Sequence, residues 1–95
     1  MKIHELKTDS NVFREVYIGR KNFEIRKNDR NFKEGDILHF KETVHTGEEM
    51  KNGSPLVYGR ELLAMVKYIL HGPVYGLMDG WCIMSINIID VNLKD

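Results

Sequence analysis

Phe23 and Ile25 alternate with Asn22, Glu24 and Arg26, the period-two pattern of a β-strand with one face on a core and the other toward solvent or a cleft. The apolar pair is expected on the core. Ahead of that strand, "KIHELK" is compatible with extended chain, and "TDSNVFREVYIGR" predicts a short helix. Asp9 or Ser10 can cap this helix, Val12, Phe13, Val16 and Tyr17 recur at helical spacing, and Gly19 suits its exit. "NDRN" and "KEGD" supply turn chemistry, after which "DILHFKETV" predicts a second strand. One of its faces carries Ile37, His39, Lys41 and Thr43, the other Leu38, Phe40, Glu42 and Val44, so its core side is not wholly apolar.

The polar run "HTGEEMKNGSP" has two glycines, a proline and no periodicity, and is expected to be a loop. "LVYGRELLAMVKYIL" is ambiguous. Its Leu, Ala, Met and Glu residues favour a helix from Arg60 onward, and Gly59 would interrupt a strand. "HGPVYGLMDG" predicts a loop with room for one helical turn, and "WCIMSINIIDV" a long strand partly buried on both faces. One early helix and several strands make a small α+β domain or a partly open barrel.

Composition narrows the class. Ninety-five residues without internal repeat or linker form one domain, 1–95, and the 42% apolar fraction is that of an ordinary globular chain. No apolar run approaches the roughly 18 residues of a membrane span, and "MKIHELKTDS" lacks the apolar stretch of a secretory signal, so a cytoplasmic protein is expected. The single cysteine, Cys82, excludes an internal disulfide and a cysteine-based zinc site. It reads as a small buried apolar residue. His4, His39, His45 and His71 show no HxxxH or HxH spacing, so neither a metal nor another cofactor is expected. Walker, GxGxxG and GxSxG sequences are missing, and Gly72, Gly76 and Gly80 are read as turn residues.

Net charge is zero, which argues against a wholly electrostatic nucleic-acid binder, yet the charge is unevenly placed. Between Arg20 and Lys33 stand six basic residues and two acidic ones. The plain reading is a solvated strand face whose ion pairs contribute less than about 1 kcal/mol. The functional reading places Lys21, Glu24 and Arg26 in a cleft beside the helix. A guanidinium there holds a phosphate through paired hydrogen bonds, and a carboxylate accepts from a base amino group.

Gly19, Lys21, Glu24 and Arg26 match the G-x-K-x-x-E-x-R signature of the ASCH domain, a PUA-like fold. More narrowly, "HELK" at 4–7, "GRKNFEIRKNDRNFKEGD" at 19–36, "YGR" at 58–60 and "GLMDGWCIMSI" at 76–86 resemble the bacterial and phage family called domain of unknown function 3850. The resemblance implies a PUA-like pseudo-β-barrel of about five to six strands with the first helix packed beside it and a cleft between them. It also implies that Leu62 to Leu70 is strand.

ASCH domains are proposed to bind RNA in that cleft. Carried over, Lys21 and Arg26 face a phosphate or base carbonyl, and Glu24 accepts a hydrogen bond or orients Lys21. The expected function is therefore a module for RNA or a nucleotide-like ligand. Its cleft is floored by Lys21, Glu24 and Arg26 and rimmed by Asn28, Asp29 and Arg30. His4 and Lys7 join as part of "HELK", and Tyr75, then Trp81 and Tyr58, are the aromatic candidates for stacking on bases. One alternative is a small hydrolase of a modified nucleoside or RNA, with Lys21 and Glu24 as catalytic candidates. ASCH-like amidohydrolases of acetylated cytidine carry a threonine, their expected nucleophile, where this chain has Glu24, so that hydroxyl is missing here. Another alternative is a protein-interaction domain.

Overall fold

A computed structural model describes residues 1–91; positions 92–95 of the expected domain lie outside the described residues. In chain order the elements are β1 (Ile3–Asp9), α1 (Ser10–Tyr17), β2 (Phe23–Lys27), β3 (Ile37–Thr43), α2 (Gly47–Lys51), β4 (Tyr58–His71) and β5 (Trp81–Asp90). The strands form one five-stranded sheet in the order β1-β3-β4-β5-β2. β1 runs parallel to β3, and the other neighbouring strands are antiparallel.

β1 and β2 are thus opposite edges of the sheet, yet Arg26 Nη2 donates to the Lys7 carbonyl at 3.1 Å and Arg30 Nη1 to the Glu5 carbonyl at 2.6 Å. The sheet must curl for its two edges to come this close, giving a half-barrel. Because the Ile37 amide donates to the Lys2 carbonyl, strand alternation turns the Glu5 and Lys7 carbonyls away from β3, toward the open edge. Two arginines there take the place of a strand-to-strand ladder.

The core fills the concave side. Leu6 of β1, Leu38 and Phe40 of β3, Leu62, Ala64 and Val66 of β4, and Cys82, Met84 and Ile86 of β5 pack under Phe13 and Val16 of α1. Each large side chain so buried contributes roughly 1.5–3 kcal/mol. The helical stripe expected at Val12, Phe13, Val16 and Tyr17 is the face that docks, with Phe13 and Val16 fully buried. Gly19, at φ 84°, then reverses the chain, and the amides of Arg20 and Lys21 both donate to the Glu15 carbonyl at 2.9 Å. A left-handed residue is needed at this exit, and glycine adopts it without a Cβ clash.

Three expectations change and one ambiguity resolves. Phe23 and Ile25 do not face the core: both are 47% exposed, whereas Glu24 is 4% exposed. The register explains it, because β2 pairs Glu24 with Met84 and Arg26 with Cys82, whose side chains point inward. The 45–55 loop contains α2, started by a capping box in which the Glu49 amide donates to Thr46 Oγ1 and the Thr46 amide to Glu49 Oε1. β4 resolves the local ambiguity as strand, since it is hydrogen-bonded on both sides and buries alternate residues Leu62, Ala64 and Val66. "HGPVYGLMDG" holds a tight reversal between Val74 and Leu77 rather than a helical turn.

Glu42 ties α1 to the sheet. It accepts from Ser10 Oγ at 2.6 Å, from the Arg60 amide at 2.8 Å, and from Arg60 Nε and Nη2 at 2.9 and 3.0 Å. The Arg60 guanidinium lies over the Phe13 and Tyr17 rings, so one ion pair grips both ends of the helix's buried face. A side chain at Gly59 would begin 2.7 Å from Glu42 Oε1, which leaves glycine as the residue that fits beside the carboxylate.

Hydrogen bonds from Arg60 hold the Glu42 carboxyl at about 2 against an ordinary value of 4.5. Asp36 is also lowered: burial raises it, but hydrogen bonds from His4 and from the Lys2 and Lys33 amides outweigh burial. A carboxylate depressed on folding adds stability above its unfolded pKa and loses it as pH falls through the folded one. For Glu42 alone the loss is about 3 kcal/mol. Thermal melts are therefore expected to show Tm constant near neutrality and falling between pH 4.5 and about 2, with Glu42→Gln flattening that fall; a wild-type Tm flat across the window would contradict it.

Candidate functional site

Where the two sheet edges approach, a cleft of about 630 Å3 opens, bounded by Leu6, Lys7, Thr8 and Asp9 of β1, Val12 of α1, and Lys21, Glu24, Arg26, Asp29 and Arg30 around β2. Phe32 and Trp81 complete its apolar lining together with Ile25. Glu24 is the buried centre. Lys21 Nζ donates to its Oε1 at 2.7 Å, and Arg26 Nε donates to its Oε2 at 2.6 Å.

Each cation is held a second time, Lys21 by the Phe23 carbonyl at 2.8 Å and Arg26 by the Lys7 carbonyl. An ammonium has three donor hydrogens and a guanidinium five. Donors therefore remain on Lys21 and on Arg26 Nη1 after these bonds. The carboxylate fixes both cations in place and cancels one charge of the pair. The geometry is that of preorganised donors beside a buried acceptor.

The lining holds five cationic side chains, Lys7, Lys21, Arg26, Lys27 and Arg30, against three carboxylates, Asp9, Glu24 and Asp29. Among the described residues Lys7, Lys27 and Arg30 have no ion pair. The charge concentrated between Arg20 and Lys33 thus reaches the cleft through four of its six basic side chains, Lys21, Arg26, Lys27 and Arg30. A focused positive potential of this kind favours an anionic ligand.

The sequence candidates separate cleanly. Lys7, Lys21, Glu24, Arg26, Asp29 and Arg30 line the cleft, as does Trp81. Asn28 does not: its Oδ1 accepts from the Phe32 amide at 3.0 Å, which braces the turn after β2. His4 does not either. It is buried, with Nε2 2.8 Å from Asp36 Oδ2 and its ring edge-on to Phe32 at 4.7 Å, so it locks the turn before β3. Because Asp36 is ionised, that ring nitrogen carries the proton. Tyr75 lies outside the cleft, in a neighbouring groove. Tyr58 sits under Lys41 Nζ at 4.3 Å and away from the cleft lining.

Thr8 was not anticipated. Its Oγ1 is buried in the cleft wall without a hydrogen-bond partner, a state that costs about 1–3 kcal/mol in an interior. The signal was present, since His4, Leu6 and Thr8 share one face of β1. Lys27 was likewise readable as part of the basic run.

No group of three or more His, Cys, Asp or Glu side chains among the described residues is arranged to hold a metal ion. Burial pushes the Cys82 thiol up, which disfavours a thiolate. No described helix is long and apolar enough to cross a membrane. No curated protein matches this chain. The family model described as Domain of unknown function (DUF3850) matches residues 3–86, from the start of β1 into β5 with the whole cleft included, and the chain belongs to that family.

Proposed function

We propose that this protein is a PUA-like module of the ASCH type that binds single-stranded RNA, or a nucleotide-like part of it, in the cleft between β1 and β2. The observation that carries the reading is Glu24, buried at the cleft floor and bonded to both Lys21 and Arg26. A bare anion site needs no buried carboxylate. A ligand with phosphate and base amino groups uses both signs of charge, the cations for phosphate and Glu24 for an amino N–H. Trp81 adds an aromatic surface at the cleft wall.

The test is a titration of fluorescent single-stranded RNA, duplex RNA and single-stranded DNA at two salt concentrations, with Lys21→Ala/Arg26→Ala as the comparison. Wild type is expected to prefer single-stranded RNA. The double variant should lose at least about tenfold in affinity, and its log–log salt slope should shrink by about 1.4, the scale for two lost phosphate contacts on a single strand. Folded protein that binds no nucleic acid, or a double variant that binds as wild type does, would refute the proposal.

A hydrolase draws on one observation, the 2.7 Å contact of Lys21 Nζ with Glu24 Oε1. On that reading modified nucleosides are turned over, and Glu24→Gln abolishes turnover while binding survives.

A further inference from the structure

The charged cleft ends at Ile25 and Trp81, and a second groove of about 330 Å3 begins at the same two residues. Its other walls are Tyr75, Leu77, Met78 and Ile83. Tyr75 occupies the first central position of a two-residue turn, where the Val74 amide donates to the Leu77 carbonyl at 3.1 Å and the Leu77 amide to the Val74 carbonyl at 2.7 Å. Its φ is 47° and its side chain is 93% exposed.

Both features are unfavourable within the free chain. Turns of this shape favour Asn, Asp or Gly at that position, and a bulky residue at positive φ is strained. The exposed ring adds apolar surface next to Met78, itself 62% exposed. At 93% exposure the ring has little packing among the described residues to offset either cost, and strain held without internal return clusters at recognition sites. Lys27, paired across the ladder with Trp81 and free of any ion pair among the described residues, stands where groove and cleft meet. An occupant running from one to the other therefore passes a cation at the junction and flat apolar side chains beyond it.

We infer that cleft and groove are two parts of one site for single-stranded RNA longer than one nucleotide, with a phosphate among the cleft cations and a neighbouring base on Tyr75 and Trp81. The inference rests on the RNA reading above and adds a second subsite and a minimum ligand length. A mononucleotide fills the cleft alone, and a duplex keeps its bases stacked on one another and out of reach of the groove.

The experiment compares uridine monophosphate, a single-stranded RNA tetranucleotide and a blunt-ended RNA duplex on wild type, Tyr75→Ala and Lys21→Ala/Arg26→Ala, each checked for its fold by circular dichroism. The duplex is expected to bind no more tightly than the monophosphate per phosphate contacted. The tetranucleotide is expected to bind wild type at least about tenfold more tightly than the monophosphate, and Tyr75→Ala to lose about five- to thirtyfold for the tetranucleotide and nothing for the monophosphate. Tetranucleotide binding that the double variant loses but Tyr75→Ala keeps overturns the two-part site and leaves the cleft reading standing. Absence of binding to every RNA overturns both.

Discussion

Glu42→Ala is expected to lower stability by about 3–4 kcal/mol, a Tm fall of roughly 15–25 °C for a domain of this size. The substitution removes the acceptor of four hydrogen bonds, one of them from the Arg60 backbone amide. It leaves the Arg60 guanidinium over Phe13 and Tyr17 with no carboxylate to fix it. Arg60 is half exposed and recovers part of its hydration, so the cost stays below that of stranding a fully buried charge. The damage extends to the cleft, because Val12 and Asp9 at the start of α1 form its far wall. Denaturant melts would show it as a lower midpoint, and an unfolding free energy within about 0.5 kcal/mol of wild type would mean that the helix is held by its apolar stripe alone.

Glu24→Ala is expected to cost about 2–3 kcal/mol, less than breaking a wholly buried pair because Lys21 and Arg26 keep part of their exposure to water. Its functional effect runs the other way from that of the cation variants. Lys21 and Arg26 lose their tether and the cleft gains a net positive charge, so non-specific affinity for any polyanion should rise about three- to tenfold at low salt while the preference for RNA over duplex DNA shrinks. Competition titrations at two salt concentrations measure both. A Glu24→Ala protein that keeps its preference unchanged would show that Glu24 is structural only.

The sequence pattern carried the strands further than it carried their orientation. Alternation at 22–26 sets a period of two but no sign, and the general rule that apolar residues face inward chose the wrong side for Phe23 and Ile25. The rule fails here because the concave side of a half-barrel includes a polar cleft, and pairing with Met84 and Cys82 turns Glu24 and Arg26 into it. Helix-forming residues left β4 ambiguous from local pattern alone, and the strand implied by the family resemblance is the one formed, since propensities of a few tenths of a kcal/mol per residue yield to ladders on both sides. The Thr46–Glu49 capping box stands within four letters of the run expected to be a loop, and the absence of apolar periodicity there hid it.

Other features could not be read from the chain. Glu42 and Arg60 lie 18 residues apart and meet only through the β3–β4 pairing. Arg26 and Arg30 find carbonyls of β1 because the sheet curls, a property of the assembled strands rather than of any segment. The cluster Lys21, Glu24 and Arg26 was different: its members sit within six positions on one strand and its lead-in, so local spacing alone brings them together.

The proposal that RNA sits in the β1–β2 cleft is open to amide chemical-shift mapping of isotope-labelled protein during titration with a short single-stranded RNA. The largest shifts are expected at Lys7 to Asp9, at Lys21 to Lys27 and at Trp81, all in or beside the cleft. Shifts centred instead on His39 and Glu61, which line no part of it, would place the RNA site elsewhere on the sheet.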